Sequence, residues 1–463
     1  MHQRNRTKLA VALLTVAACT VLTSGCSSPD VIPPGETTCT NVMAELEQYR
    51  EQTDLTFLDL RGTQLTPAQY EQLKSWLPRC EILWDVCIQD KFYGIETTQL
   101  SLDALTPEDI DAIGYLPKLE RVYAYHCDDY PALTLLAERY PHLELTYYVP
   151  FGGKSLSNDT TSATIPGDCL EESAAMLPYL PNLTSLRLMG PLPDITQIQA
   201  LQAAWPQLEL SWVFSFRDIP LDSSVTTLDL TGIPTTVDEI EALLPYLPAL
   251  TYLDMTDCGI SNEEMDQLNR RHENVKIVWT VSIGPFIRVK TDTTWFMAAK
   301  YGYTVRTADV YNLRYCTDII AVDLGHMNIS NCDFVAFMPH LKYLILADTN
   351  VTDLTPLTGL KELVFLELFL MEIDDFAPLE TLTGLEDLNI HYTRGNADVI
   401  ARMTWLKNLW WQGCTWQEQQ LLRESIPDCH FNFKSYSSTG EGWRNLPNYY
   451  AQRDIFGMRY LTG

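Results

Sequence analysis

A 22-residue period constrains this chain more tightly than any other feature. Leu341-x-x-Leu344-x-Leu346 is followed by Leu363-x-x-Leu366-x-Leu368, Leu385-x-x-Leu388-x-Ile390 and Leu406-x-x-Leu409-x-Trp411, and Ile319-x-x-Val322-x-Leu324 extends the series upstream. The starts are separated by 22, 22, 22 and 21 residues. One such unit cannot bury its own apolar positions, so the units must stack, and stability becomes a sum over nearest neighbours. In the N-terminal half the unit recurs within a longer period. Leu119, Leu183 and Leu250 start matching strands 64 and 67 residues apart, each just after a Leu-Pro. A second strand type ends in an aromatic residue: Pro78 to Trp84, Pro141 to Tyr147 and Pro206 to Trp212, with looser copies at Glu273 to Trp279 and Pro427 to Phe433. A third follows Glu96-Thr-Thr, Asp222-Ser-Ser and Asp292-Thr-Thr. Three strands in about 64 residues again give roughly 22 per turn, or roughly 18 turns between residues 53 and 434.

The pattern L-x-x-L-x-L at this spacing resembles the leucine-rich repeat, and Val351 to Leu360 resembles the internalin-type repeat of bacterial surface proteins. The resemblance implies an α/β fold: a leucine-rich-repeat solenoid over residues 39–434, with a curved parallel β-sheet on the concave side and helices and 3-10 turns on the convex side. Repeat positions 1, 4, 6, 9 and 11 are expected to point inward. Helical spacing over Pro67–Leu77, Pro107–Leu116 and Val237–Leu247 predicts convex-side helices, and Thr106-Pro107-Glu108-Asp109 reads as a cap with its first turn. Shorter Pro-broken linkers over 353–380 predict 3-10 pieces. Residues 284–318 fit the template worst, which predicts a bulge or extra loop. Cys87, Cys127, Cys258 and Cys414 fall at position 9 of their repeats, a buried ladder position rather than a reactive one.

Residues 1–25 read as a targeting signal: Arg4, Arg6 and Lys8 precede an apolar run from Leu9 to Leu22, too short to span a membrane confidently. The run closes on Leu22-Thr23-Ser24-Gly25-Cys26, which resembles the lipobox of bacterial lipoproteins. That resemblance implies lipidation at Cys26 and a membrane-anchored protein on the extracytoplasmic face. Residues 26–38, rich in Ser and Pro, suit a tether. In such a compartment a disulfide between Cys39 and Cys80 becomes an option.

Composition removes several classes. The formal charge is −28, and loss of residues 1–25, with three basic and no acidic side chains, takes it to −31. A surface of that sign repels phosphate, so nucleic acid is not an expected partner. No C-x-x-C or H-E-x-x-H occurs, so no metal is expected. Gly152-Gly153-Lys154-Ser155 is no phosphate loop, because Tyr148 stands where the pattern needs glycine. With no recognisable acid, base or nucleophile set, neither an enzyme nor a cofactor is expected.

Strand alternation places positions 3, 5, 7 and 8 on the concave face. In the C-terminal repeats these include Tyr343, Phe365, Glu367, Phe369, Asp387, Asn389, His391, Tyr392, Asn408 and Trp410, a ligand-binding patch unless a loop or tail covers it. Asp229, Asp254, Asp257 and Asp323 make the upstream face acidic, suited to a basic peptide or a cation. Residues 435–463 leave the repeat and are a C-terminal cap or tail, with Trp443, Tyr449 and Tyr450 as an alternative extension of the binding surface. The expected function is binding, by a monomer, of a protein or glycan ligand outside the cell. The alternative is a non-catalytic scaffold or accessory subunit of a cell-envelope complex.

Overall fold

A computed structural model describes residues 46–434, 437–440 and 442–458. The signal, the tether, Cys26 and Cys39 lie outside the described residues, as therefore does any pairing of Cys39 with Cys80. The chain forms two compact units, Met1–Asp222 and Ser223–Gly463.

Both units are built from short parallel strands, one per repeat. In the second unit seven strands make one sheet: Trp295–Met297, Ala321–Asp323, Tyr343–Ile345, Phe365–Glu367, Asp387–Asn389, Asn408–Trp410 and His430–Asn432. Its register aligns Leu344 with Leu366, Leu366 with Leu388 and Leu388 with Leu409, all fully buried. Each such leucine contributes roughly 1.5–3 kcal/mol, so the stacked column holds the sheet although each strand is only three residues long. The chain leaves several of these strands, and the earlier strand Tyr252–Asp254, through a left-handed residue at repeat position 8. Asp257, His326, Asp348, Leu370 and Tyr392 have φ between +56° and +62°. Their N–H groups donate to the next turn, as from Asp348 to the Phe369 carbonyl and from Leu370 to that of His391.

Helices form where the periodicity predicts them, over Pro67–Trp76, Pro107–Ile113 and Val237–Leu243. Thr66, Thr106 and Thr236 each close a capping box with Gln69, Asp109 and Glu239 respectively. The Pro-broken linkers become 3-10 turns at Thr355–Leu357 and Ala377–Thr381. Cys127 and Cys258 are buried, and the Cys258 thiol donates to the Leu230 carbonyl of the preceding turn at 3.1 Å.

The uniform template misses a β-hairpin that interrupts each super-repeat. Val86–Ile88 pairs antiparallel with Lys91–Tyr93, the end of Glu144–Phe151 with Lys154–Ser157, the end of Glu209–Phe216 with Ile219–Asp222, and Thr280–Ile283 with Ile287–Lys290. The first three turn through two residues of positive φ, Gln89-Asp90, Gly152-Gly153 and Arg217-Asp218, the geometry that matches strand twist in tight hairpins. Cys87 accordingly sits opposite Phe92 inside a hairpin, not at a ladder position. The fourth hairpin takes up the start of the irregular stretch 284–318, as far as Lys290; a strand at Trp295–Met297 and short helical pieces follow it. The aromatic residue ending the second strand type packs at these interruptions. Trp84 lies 5.6 Å from Tyr115 edge-on, Trp279 lies 5.9 Å from Tyr315, and the Tyr147 hydroxyl donates to the Tyr179 carbonyl.

The hairpin turn gives a sharp stability test. A Cβ on Gly152 would fall 2.1 Å from Ile165 Cγ2, whereas one on Gly153 meets nothing within 4 Å, and both residues have positive φ. Gly153→Ala should cost only the left-handed strain, about 1–2 kcal/mol. Gly152→Ala should cost a further 1–3 kcal/mol or so from overpacking. Thermal unfolding of the two variants checks the order.

Candidate functional site

Alternation along each three-residue strand turns its central residue into the core and its two flanking residues outward. On the seven-stranded sheet the outward residues include Tyr343, Phe365, Glu367, Asp387, Asn389, Asn408, Trp410 and Asn432. The chain's own tail lies on this face. After the last strand it passes Ser438 and Gly440, enters a short turn at Trp443–Asn445 and forms the helix Pro447–Ile455. Pro447 begins that helix, where its missing N–H has no cost.

Trp443 is the anchor. It is fully buried, with its ring 5.0 Å from Phe365 and 5.2 Å from Trp410, and its indole N–H donates to the Glu367 carboxyl. Tyr343, Leu446 and Tyr449 pack around that cluster. The polar rim is made mostly by repeat side chains. Asn389 Nδ2 donates to the Ser438 carbonyl at 2.7 Å and Trp410 Nε1 to the Gly440 carbonyl at 3.1 Å. From the tail, Asn448 Nδ2 donates to Asp387 at 3.1 Å and Glu386 at 3.3 Å. At the far end Phe456 meets Trp295 edge-on at 5.8 Å.

The covered face is electrostatically uncomfortable. Burial pushes the Glu367 carboxyl up to about 8, against the lowering effect of the Trp443 N–H; Asp323 adds to the rise and Arg444 opposes it. Burial also raises Asp387, against hydrogen bonds from Asn408 and Asn448, and raises Asp323.

The predicted patch is therefore not an open one. Phe365, Glu367, Phe369, Asp387, Asn389, His391 and Trp410 are all buried, and Tyr343 is half-buried. At Phe365, Glu367, Asp387, Asn389 and Trp410 the reason is the tail, since apolar Phe365 and Trp410 gain more from Trp443 than from water, whereas Phe369 packs edge-on against His326. Among the predicted ligand-binding residues Tyr392 alone is exposed, at 40%, and it occupies the left-handed turn rather than a strand. His391 instead accepts the Gln412 N–H through Nδ1 at 3.2 Å. The acidic upstream face also has partners from the chain. Hairpin residues Lys290 and Arg288 reach Asp254 and Asp257, and Asp229 caps the Thr231 N–H.

The first unit carries an outward aromatic row that the sequence reading did not single out. Tyr123 and Tyr125 lie 5.5 Å apart, ring to ring, and Tyr125 and Tyr148 lie 5.6 Å apart. Tyr125 is 45% exposed and Tyr148 41%. Tyr125 and Tyr148 occupy position 7 of adjacent turns, as the pairing of Ala124 with Tyr147 fixes. The same position template, applied upstream of residue 343, would have found them. Among the described residues no group of three or more His, Cys, Asp or Glu is placed to hold a metal ion.

The Leucine Rich repeat family profile matches residues 246–263. No curated protein matches the chain. Among solved structures, internalin C2 from Listeria monocytogenes is 21% identical, covering 33% of this chain and 78% of its own, with a TM-score of 0.25. An internalin F from the same organism is 13% identical, covering 85% of this chain and 93% of its own, with a TM-score of 0.27. A TDR receptor is 12% identical over 79% of this chain and 49% of its own, with a TM-score of 0.23.

Proposed function

We propose that this chain is a lipid-anchored, extracytoplasmic leucine-rich-repeat solenoid that binds a protein partner through the outward strand face of its first unit. The observation that carries the reading is the open row Tyr123, Tyr125 and Tyr148, set against a second unit whose corresponding face is covered. The rings are tilted against one another, with Tyr125 and Tyr148 exposed and Tyr123 half-buried, and such tyrosines offer large contact area at small entropic cost, which is how binding surfaces use them. The anchor rests on the basic leader, the apolar run and Cys26. No helix among the described residues is long and apolar enough to cross a membrane, and the reading places the attachment at Cys26. The protein acts by binding, not catalysis, and works as a monomer.

The test is a binding array of extracytoplasmic proteins and cell-surface glycans probed with the full chain and with the Tyr125→Ala/Tyr148→Ala double variant. Loss of two exposed aromatic contacts should weaken capture of a protein partner at least tenfold, about 1.4 kcal/mol or more, with unchanged thermal stability. Equal binding by both proteins would place the site elsewhere, and capture by glycans alone would replace the protein partner with a sugar.

A further inference from the structure

We propose that the outward face of the seven-stranded sheet is a peptide-recognition site which the chain's own tail occupies, and that the partner it takes is a polypeptide presenting a tryptophan and, where the tail has Asn448, a basic residue. This site is separate from the tyrosine row and rests on different residues.

The tail contacts have the anatomy of an occupied peptide site rather than of a repeat-array end cap. A single tryptophan, Trp443, fills the centre and is fully buried between Phe365 and Trp410. A ring of hydrogen bonds surrounds it, the arrangement of an interface hot spot. Asn389 and Trp410 read main-chain carbonyls, at Ser438 and Gly440. Those contacts would accept any chain that follows the same path with an aromatic anchor.

The tail fits this face in shape better than in charge. Glu386 and Asp387 lie together on the face, Lys407 of the sheet pairs with Glu386 at 2.6 Å, and the tail meets both carboxylates with the neutral amide of Asn448, its Arg444 being exposed. Glu367 is buried and, among the described residues, takes a hydrogen bond from the Trp443 N–H. Asn432 Nδ2 on the face and Gln452 Oε1 on the tail helix are buried without a hydrogen-bond partner among the described residues. Each such group weakens the seal by its desolvation. A segment placing an ammonium or guanidinium where Asn448 lies would exchange a neutral hydrogen bond for a charge-assisted one, about twice as strong. Charge complementarity therefore selects the occupant: an aromatic anchor plus a cation.

The experiment uses the full chain with a protease site introduced at residues 435–436, so that the tail can be cut in place without being removed. The probe is a fluorescent peptide of residues 437–458. After cutting, the chain should keep its circular dichroism, release its tail on dilution and take up the labelled peptide. A Trp443→Ala peptide should bind at least 100-fold more weakly, and an Asn448→Lys peptide about tenfold more tightly. A cut chain that unfolds, or that never exchanges its tail, would show a structural element and overturn the proposal. So would equal binding by the Trp443→Ala peptide. Exchange without a gain from Asn448→Lys would overturn the basic-residue half of the proposal.

Discussion

Replacing Trp443 with alanine should loosen the tail along its whole length. Removing a fully buried tryptophan from between two aromatic rings costs about 3–5 kcal/mol. It also strips the Glu367 carboxyl of the indole donor. The repeat strands do not depend on Trp443, because their core is the leucine column on the other face. The expected result is a second unit that keeps its far-ultraviolet dichroism, while trypsin gains access to Arg444 and Arg453. An exposed surface pair provides the contrast: Arg402→Ala removes ion pairs to Glu380 and Asp398 and should change stability by less than about 1 kcal/mol. Limited proteolysis and thermal melts of the two variants check both statements.

The second large effect concerns pH. Glu367 has an ordinary carboxyl value near 4.5 in the unfolded chain and about 8 in the folded one, where burial is the main cause. Because the folded state holds the proton more tightly, Glu367 favours folding as pH falls. Its contribution is fully present below about 4.5 and is lost as pH rises through about 8. Asp387 and Asp323, also raised, act in the same direction. At pH 7 the cost of keeping Glu367 neutral is on the order of 3 kcal/mol. Glu367→Gln should remove that cost while leaving an acceptor for the Trp443 N–H. The variant should be more stable than the parent at pH 7 to 8, nearly equal to it at pH 4.5, and flatter in between. Denaturant melts across that range check it; parallel curves for the two proteins would refute the linkage.

Much of the fold was legible because the repeat signal is local and redundant. Leu363-x-x-Leu366-x-Leu368 states its own strand, and the neighbouring copies state what that strand stacks on. Capping was equally local: Thr106 and Asp109 lie three residues apart and bond to each other. The hairpins were harder to read. Their arms, such as Val86–Ile88, are three residues long, and among the first three only Gly152-Gly153 uses turn residues that announce positive φ; Gln89-Asp90 and Arg217-Asp218 do not.

The covered face shows the limit most plainly. Phe365 and Trp410 were correctly placed outward by alternation, but whether outward means exposed depends on Trp443, many residues downstream. No spacing rule links Glu367 to an indole 76 positions away. A hint was present in the residue types: two large apolar side chains on a presumed solvent face, and a tail carrying Trp443 and Tyr449. Exposed apolar area and an aromatic tail are complementary needs.

Hydroxyl-radical footprinting of the intact chain tests the central claim, that the tail covers the second unit's strand face while the first unit's face stays open. Trp410, Trp443 and Phe365 should be protected from oxidation in the native protein and become reactive on denaturation, while Tyr125 and Tyr148 react readily in both states. Native-state labelling of Trp410 and Phe365 as fast as that of Tyr125 would contradict it.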